Sequence, residues 1–162
     1  MATSTADLSD EDRDGLRPCT LQLRSFGGRA AFSGPVATVR CLDDNGLVRA
    51  AVVQPGNGRV LVVDGGGSLR TALVGDSVAA LAVTNGWAGI LVNGAVRDVT
   101  GLAVGDIGVL ALGTCPRRGE RTGDGEVDIA VRFGDAVFNP GAMLYADEDG
   151  VLVEMGDREP EF

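Results

Sequence analysis

The chain has 162 residues, 44% hydrophobic and 23% charged, with 23 acids against 14 bases and a net charge of −9. That balance predicts one domain over residues 1–162, with an apolar core and loose ends at 1–4 and 156–162; it argues against disorder and against a surface that collects nucleic-acid phosphates. Histidine is absent, which excludes Ser-His-Asp and Cys-His nucleophile pairs, His-ligated zinc and histidine general bases.

From the N-terminus, Met1 to Asp14 carries acids and no apolar stretch, so no secretory leader is expected. Ser9 followed by Asp10, Glu11 and Asp12 reads as a cap with acids in the first turn of a short helix. Gly34-Pro35 then punctuates the chain before a β-branched strand over Val36 to Leu42, and Gly46 to Gln54 reads as a helix stopped by Pro55. Val60 to Val63 is a short continuous apolar run, a buried strand ending in the turn Asp64-Gly65-Gly66-Gly67, with Ser68-Leu69-Arg70 continuing as strand. After Ala72-Leu73-Val74, Gly75-Asp76 introduces a helix over Ser77 to Asn85 that is apolar nearly all round and closes on Gly86. That pattern predicts a buried crossover helix, with strands before it and at Ala88 to Val92 pairing in parallel.

Gly94 leads from this strand into Ala95-Val96-Arg97-Asp98. Ser77 to Val96 is also the long uncharged run of the chain, but Thr84, Asn85, Gly86, Gly89, Asn93 and Gly94 interrupt it, so it reads as core and not as a membrane span. The second half is predicted to be mostly β: Ile107 to Leu112, Val127 to Phe133, Ala136 to Phe138, Met143 to Tyr145 and Val151 to Val153. Cys19, Cys41 and Cys115 are odd in number and widely spaced, which predicts reduced, buried, structural thiols and a cytoplasmic protein.

Two features can carry chemistry. At Gly75-Asp76-Ser77-Val78 the first amides of a helix lack intrahelical partners and would receive a carboxylate, although Asp76 or Ser77 could equally cap its own helix. Arg97-Asp98 follows an apolar strand, where α/β sheets present ligand sites, and offers a planar fork for an oxyanion and a hard oxygen for Mg²⁺ or Mn²⁺; an ordinary ion pair on a turn is the alternative.

Taken together, Leu61-Val62-Val63-Asp64-Gly65-Gly66-Gly67-Ser68, Gly75-Asp76, Gly94-Ala95-Val96-Arg97-Asp98 and Leu144-Tyr145-Ala146-Asp147 resemble the RraA-like family, from about Thr5 through Glu154. That family includes regulators of ribonuclease E activity and class II 4-hydroxy-4-methyl-2-oxoglutarate aldolases. The resemblance implies an α/β, β/β/α swivelling-type fold with a mixed sheet, assembled as a homotrimer with sites at subunit boundaries. It implies that the amides of Gly75, Asp76, Ser77 and Val78 hold the substrate carboxylate, that Arg97 holds substrate oxygens and that Asp98 ligates a divalent metal. Where the aldolase pattern ends in an acid, this chain has Gly101.

The expected activity is metal-dependent cleavage of 4-hydroxy-4-methyl-2-oxoglutarate to pyruvate, with oxaloacetate decarboxylation through the same pyruvate enolate. Asp147, Glu148 and Glu154 are candidates for the proton-transferring group because they are acidic and late in the chain. The rival expectation is a non-catalytic regulator that binds and inhibits a ribonuclease, which a charge of −9 would suit on a basic partner. Nucleotide or S-adenosylmethionine binding at Asp64-Gly65-Gly66-Gly67 is disfavoured because the third spaced glycine is missing.

Overall fold

The computed structural model describes residues 3–156. In strand β4 (Val60–Asp64), Val60 and Val62 face one side and Leu61 and Val63 the other, all fully buried. Strand β6 (Gly89–Val96) repeats the alternation, with Ile90 and Val92 opposite Leu91. Strands apolar on both faces require cover on both faces, and that requirement builds three layers.

The middle layer is a ten-stranded sheet whose main path runs β1 (Leu16–Cys19), β12 (Gly150–Glu154), β11 (Met143–Asp147), β3 (Phe32–Arg40), β4, β6, β7 (Gly108–Thr114) and β2 (Arg24–Ser25). Strands β3, β4, β6 and β7 are parallel, and β5 (Ala72–Val74) adds a parallel partner along the end of β6. The β1, β12, β11 flank is antiparallel, and β8 (Glu126–Val127) pairs antiparallel with the end of β3. Helices α2 (Gly46–Val52), α3 (Asp76–Thr84) and α4 (Val99–Ala103) cover one face through Val48, Val52, Val78, Ala82 and Leu102. The hairpin β9 (Val131–Phe133) to β10 (Ala136–Phe138) covers the other, with Phe133 stacked on Phe138 at 4.6 Å. This is the expected β/β/α layering on a mixed sheet.

Several local expectations change. The first helix, α1 (Thr5–Glu11), starts before Ser9: Ser4 is its cap, accepting from the Asp7 amide, so Asp10 and Glu11 fall at its other end. Gly34-Pro35 does not interrupt β3. It is where the strand exchanges an antiparallel partner, β11, for a parallel one, β4, and a Cβ at Gly34 would lie 2.0 Å from the Gly58 carbonyl. Ser68-Leu69-Arg70 is loop, and Val127 to Phe133 divides into β8 and β9. Helix α3 buries only Val78, Ala79 and Ala82, while Ser77, Ala80 and Val83 face out, so its apolar surface exceeds what the sheet covers. Its end does follow the sequence: Gly86 at φ +81 closes a Schellman motif, with Trp87 N bonded to Ala82 O and Gly86 N to Val83 O. Cys19 and Cys41 are buried free thiols, whereas Cys115 is half-buried. Of the expected loose termini, 1–2 and 157–162 lie outside the described residues, and Ser4 is engaged as the α1 cap.

Candidate active site

All eight residues of β6 are buried, and the chain emerges from it at Arg97, half-buried, and Asp98, exposed. The Arg97 amide donates to the Val74 carbonyl at 3.0 Å, which ties the exit of β6 to the end of β5. The start of α3 and the start of α4 therefore stand side by side at the carboxyl end of the parallel strands. Asp98 precedes α4 in the left-handed conformation, φ 61° and ψ 47°, which an aspartate tolerates better than a branched residue.

This conformation aims the Asp98 carboxylate at the start of α3, where Oδ2 accepts from the Asp76 amide at 3.2 Å. Neither Asp76 nor Ser77 caps the helix; Gly75 is the cap residue and has no side chain to do so. The first bond within α3 runs from Ala79 N to Gly75 O, so the amides of Ser77 and Val78 have no intrahelical acceptor. Gly75 is required for space: a Cβ there would lie 2.6 Å from Asp98 Oδ2 and 3.4 Å from Arg97 Cγ, while its backbone, at φ −129°, is ordinary. Arg97 is held loosely, with Nε 4.0 Å from Asp98 Oδ2 and Nη1 donating to the Pro116 carbonyl at 3.4 Å. The structure thus brings Gly75, Asp76, Ser77, Val78, Arg97 and Asp98 to one corner. The Asp76 amide, however, is occupied by Asp98.

Gly101 lies on α4 directly against Asp76, where a Cβ would sit 3.0 Å from both Asp76 Cβ and Oδ2. The space beside residue 101 is thereby occupied by the Asp76 carboxylate. Among the described residues no group of three or more His, Cys, Asp or Glu could hold a metal ion. The corner still fits a hard divalent ion of the Mg²⁺ type, which takes one or two carboxylates and completes its shell with water and ligand oxygens. Asp98 offers an exposed carboxylate oxygen, and Gly75 leaves the room beside it.

The glycine-rich turn serves the fold. Asn93 O accepts from Gly65 N and Gly67 N, Asp64 Oδ1 accepts from Gly66 N and from Asn93 Nδ2, and Gly66 and Gly67 take positive φ. These amides are all bonded within the turn and to Asn93. Sequence reasoning also passed over Asp43-Asp44, which follow β3. Asp43 accepts from Ser68 Oγ (2.7 Å), Thr71 Oγ1 (3.0 Å) and Arg70, and these donors, the Ser68 hydroxyl foremost, hold its carboxyl below the ordinary range. Asp44 is buried; desolvation alone would raise its carboxyl, but the Thr122 hydroxyl and the amides of Gly46, Thr122 and Gly123 together lower it. Two adjacent acids after a strand were the available signal, legible as loop clamps only once the loops were known.

The expected proton-transfer candidates lie elsewhere in the chain. Asp147 accepts from Thr5 N (2.8 Å) and Thr5 Oγ1 (2.6 Å) beside the beginning of β3, at the opposite end of the parallel strands. Glu154 accepts from Met143 N at 2.6 Å, and Glu148 is exposed on the β11–β12 turn. Within one subunit none of the three approaches Asp98.

A family model described as RraA-like, Aldolase/RraA, matches residues 5–153. Among solved structures, one described as the S-adenosylmethionine: 2-dimethylmenaquinone methyltransferase of Geobacillus kaustophilus superposes with a TM-score of 0.93 at 46% identity, covering 96% of each chain. The RNA-processing inhibitor RraA of Thermus thermophilis superposes at 0.90, also 46% identical, over 98% of this chain and 99% of that one. Streptomyces coelicolor RraAS2, described as an unusual member of the RNase ES inhibitor RraA family, gives 0.76 at 27% identity over 96% and 81%.

Proposed function

Because the chain belongs to the RraA-like family, we propose that the Gly75, Arg97 and Asp98 corner is the active site of a divalent-metal-dependent lyase. Its substrates are small 2-oxo acids, 4-hydroxy-4-methyl-2-oxoglutarate for aldol cleavage and oxaloacetate for decarboxylation. The observation that carries this reading is the placement of an exposed carboxylate, a guanidinium and an open helix start against a glycine whose Cβ would collide with that carboxylate.

All 14 basic residues of the chain are arginine, so a lysine Schiff base, the other common way to stabilise the electrons of a breaking C–C bond, is unavailable. A divalent cation, Mg²⁺ or Mn²⁺, held by Asp98 supplies Lewis-acid polarisation of the 2-oxo acid. The chain's own residues do the rest. The amides of Ser77 and Val78 receive the substrate carboxylate at the positive end of α3. Arg97 faces the keto oxygen, where charge collects as the C3–C4 bond breaks and its electron pair forms the pyruvate enolate.

In aldol cleavage the C4 hydroxyl proton leaves as C4 becomes a carbonyl, and a proton then returns to C3, so the substrate divides into two pyruvates. In oxaloacetate, CO₂ departs instead and the same enolate is protonated. We assign the taking and return of this proton, through water, to the carboxylate of Asp76, whose side chain lies against Gly101 and whose amide is bonded to Asp98. It fills, from the other helix, the room beside the position where the aldolase pattern has its acid. A homotrimer with these corners at subunit boundaries belongs to the same proposal.

The test is pyruvate release from both substrates with Mg²⁺ or Mn²⁺, with EDTA, and in Asp98→Ala and Arg97→Lys. Turnover that survives chelation or Asp98→Ala removes the metal site from the account. A second reading rests on the relatives named as inhibitors of RNA processing: the chain acts by binding a ribonuclease. Stoichiometric inhibition of a purified ribonuclease, with no pyruvate formed, would favour it. Methyl transfer from S-adenosylmethionine is not part of the proposal, because the turn amides that could have met a nucleotide are bonded to Asn93 and Asp64.

A further inference from the structure

The net charge is −9, yet the loop from Cys115 to Gly123 carries Arg117, Arg118 and Arg121 against one acid, Glu120. The segment from Cys115 to Gly123 is fixed along its length. Cys115 N donates to Val96 O, Ala72 N to Arg117 O, Gly119 N to Ala72 O, Glu120 N to Asp43 O and Asn45 N to Glu120 O. Asp44 then holds Thr122 and Gly123. The segment thus runs from the exit of β6, along the start of β5, to the start of α2. Ala72, which it brackets, stands three residues before Gly75, roughly 10 Å along an extended chain.

Arg118 and Arg121 belong to this fixed loop, and Arg49 sits in the last turn of α2, four residues after Asn45, whose amide is bonded to the loop. Among the described residues none of these three guanidiniums has an ion-pair or hydrogen-bond partner, in contrast to Arg29 with Asp106, Arg40 with Glu126 and Arg70 with Asp43. The backbone places them around one point: Arg97 Nη1 donates to Pro116 O of this loop at 3.4 Å, Arg118 pairs with Ala72, and the amide of Asn45, which opens α2, bonds to Glu120 O. In keeping with that placement, loss of hydration first, and then the charges of Arg118, Arg49 and Arg97, push the Arg121 guanidinium below its ordinary value. Like charges placed together on a rigid loop repel, and the repulsion is relieved when an anion sits among them.

We propose that Arg49, Arg118 and Arg121 form a second anion subsite contiguous with Arg97, which holds the carboxylate at the far end of the substrate and selects 2-oxo diacids over 2-oxo monoacids. The assignment of near and far ends rests on the lyase reading above; the anion subsite rests on the loop. Guanidinium forks match carboxylates in pairs of parallel hydrogen bonds, and arginine keeps its charge at every relevant pH. A small dianion suits the surface better than a nucleic acid, whose phosphates would meet the acidic remainder of the molecule.

The experiment measures binding without turnover, by calorimetry in Mg²⁺, with 2-oxoglutarate as the diacid and 2-oxobutyrate as the monoacid. The wild-type protein is expected to bind the diacid about tenfold more tightly, the contribution of one charged hydrogen-bonded contact. In Arg121→Gln and in Arg118→Gln that ratio should fall towards one. Arg24→Gln, which alters a guanidinium lying over the Phe26 ring, should keep the wild-type ratio.

A wild-type ratio of one, a ratio unchanged in both loop variants, or no binding of either acid overturns the subsite. So does a short single-stranded RNA whose binding is lost in Arg121→Gln while the diacid ratio stays intact. Failure of the lyase reading looks different: no pyruvate is released, but the diacid preference and its loss in the loop variants remain.

Discussion

At Asp98 a backbone choice and a chemical choice coincide. The residue turns into α4 with positive φ, and only that turn directs its carboxylate to the first amide of α3. Asp98→Asn retains a side chain that tolerates the left-handed region, so the fold should stand while charge at the corner is lost. Its thermal midpoint is expected to stay near wild type while pyruvate release falls about a hundredfold or more, as for loss of one strongly polarising contact. Gly75→Ala should act by collision, since the added Cβ meets Asp98 Oδ2 at 2.6 Å. Steady-state kinetics should show a reduced rate, with little change in unfolding by urea.

Cys41 offers a check on the core at the same scale. Burial, then Asp44, Asp64 and Asp43, push its thiol up to about 12. Native protein at pH 8 should leave Cys41 unalkylated and modify the half-buried Cys115, with Cys41 reacting only in denaturant. Mass mapping after brief iodoacetamide treatment reads this directly. Early labelling of Cys41 would mean that the end of β3 opens readily.

Between elements, the clamp at Asp44 joins β3, α2 and the arginine-bearing loop. Asp44→Ala leaves the amides of Gly46, Thr122 and Gly123 without their acceptor, at a cost of about 2–3 kcal/mol in urea unfolding. The sign of the pH effect follows from the depressed carboxyls of Asp44 and Asp147. A depressed native value means stability that is fully present above the unfolded value of about 3.9 and lost as pH falls through the native value. Unfolding free energy should therefore be flat from pH 7 to 5 and decline below about pH 4, less steeply in Asp44→Asn.

The elements also show which parts of the sequence spoke clearly. The strands expected at Val60 to Val63 and Ala88 to Val92 announced themselves because strands buried on both faces permit little but apolar residues, whereas the continuation of β6 through Asn93 and Gly94 to Val96, past a register shift against β7, was not legible. The end of α3 was legible through Gly86 because its cap chemistry is local. Helix α1 was displaced because Ser4 and Ser9 offer similar caps, and the choice depends on Asp147, 142 residues from Thr5. Pro35 inside β3 was hidden for the same kind of reason: it marks a change of partner strand, which local sequence does not encode.

For the whole molecule, the layering follows from composition, while the site follows from topology. Arg97-Asp98 and Gly75-Asp76 are 22 residues apart, and only the parallel placement of β5 beside β6 makes them neighbours. The role of Asp76 against Gly101 was invisible in the linear pattern, where position 101 simply lacks an acid. The arginine loop was likewise unremarkable until Asp43, Asp44 and Ala72 fixed its course. Light scattering should give the mass of three chains if these corners lie at subunit boundaries; the mass of one chain would confine the site to residues of a single subunit.

Pyruvate release from oxaloacetate, followed with Mg²⁺ and then with excess EDTA in wild type and Asp98→Asn, tests the central claim most directly. The expected result is turnover that chelation abolishes, that added Mg²⁺ restores, and that is about a hundredfold or more lower in the variant. Equal rates in all of these conditions would contradict it.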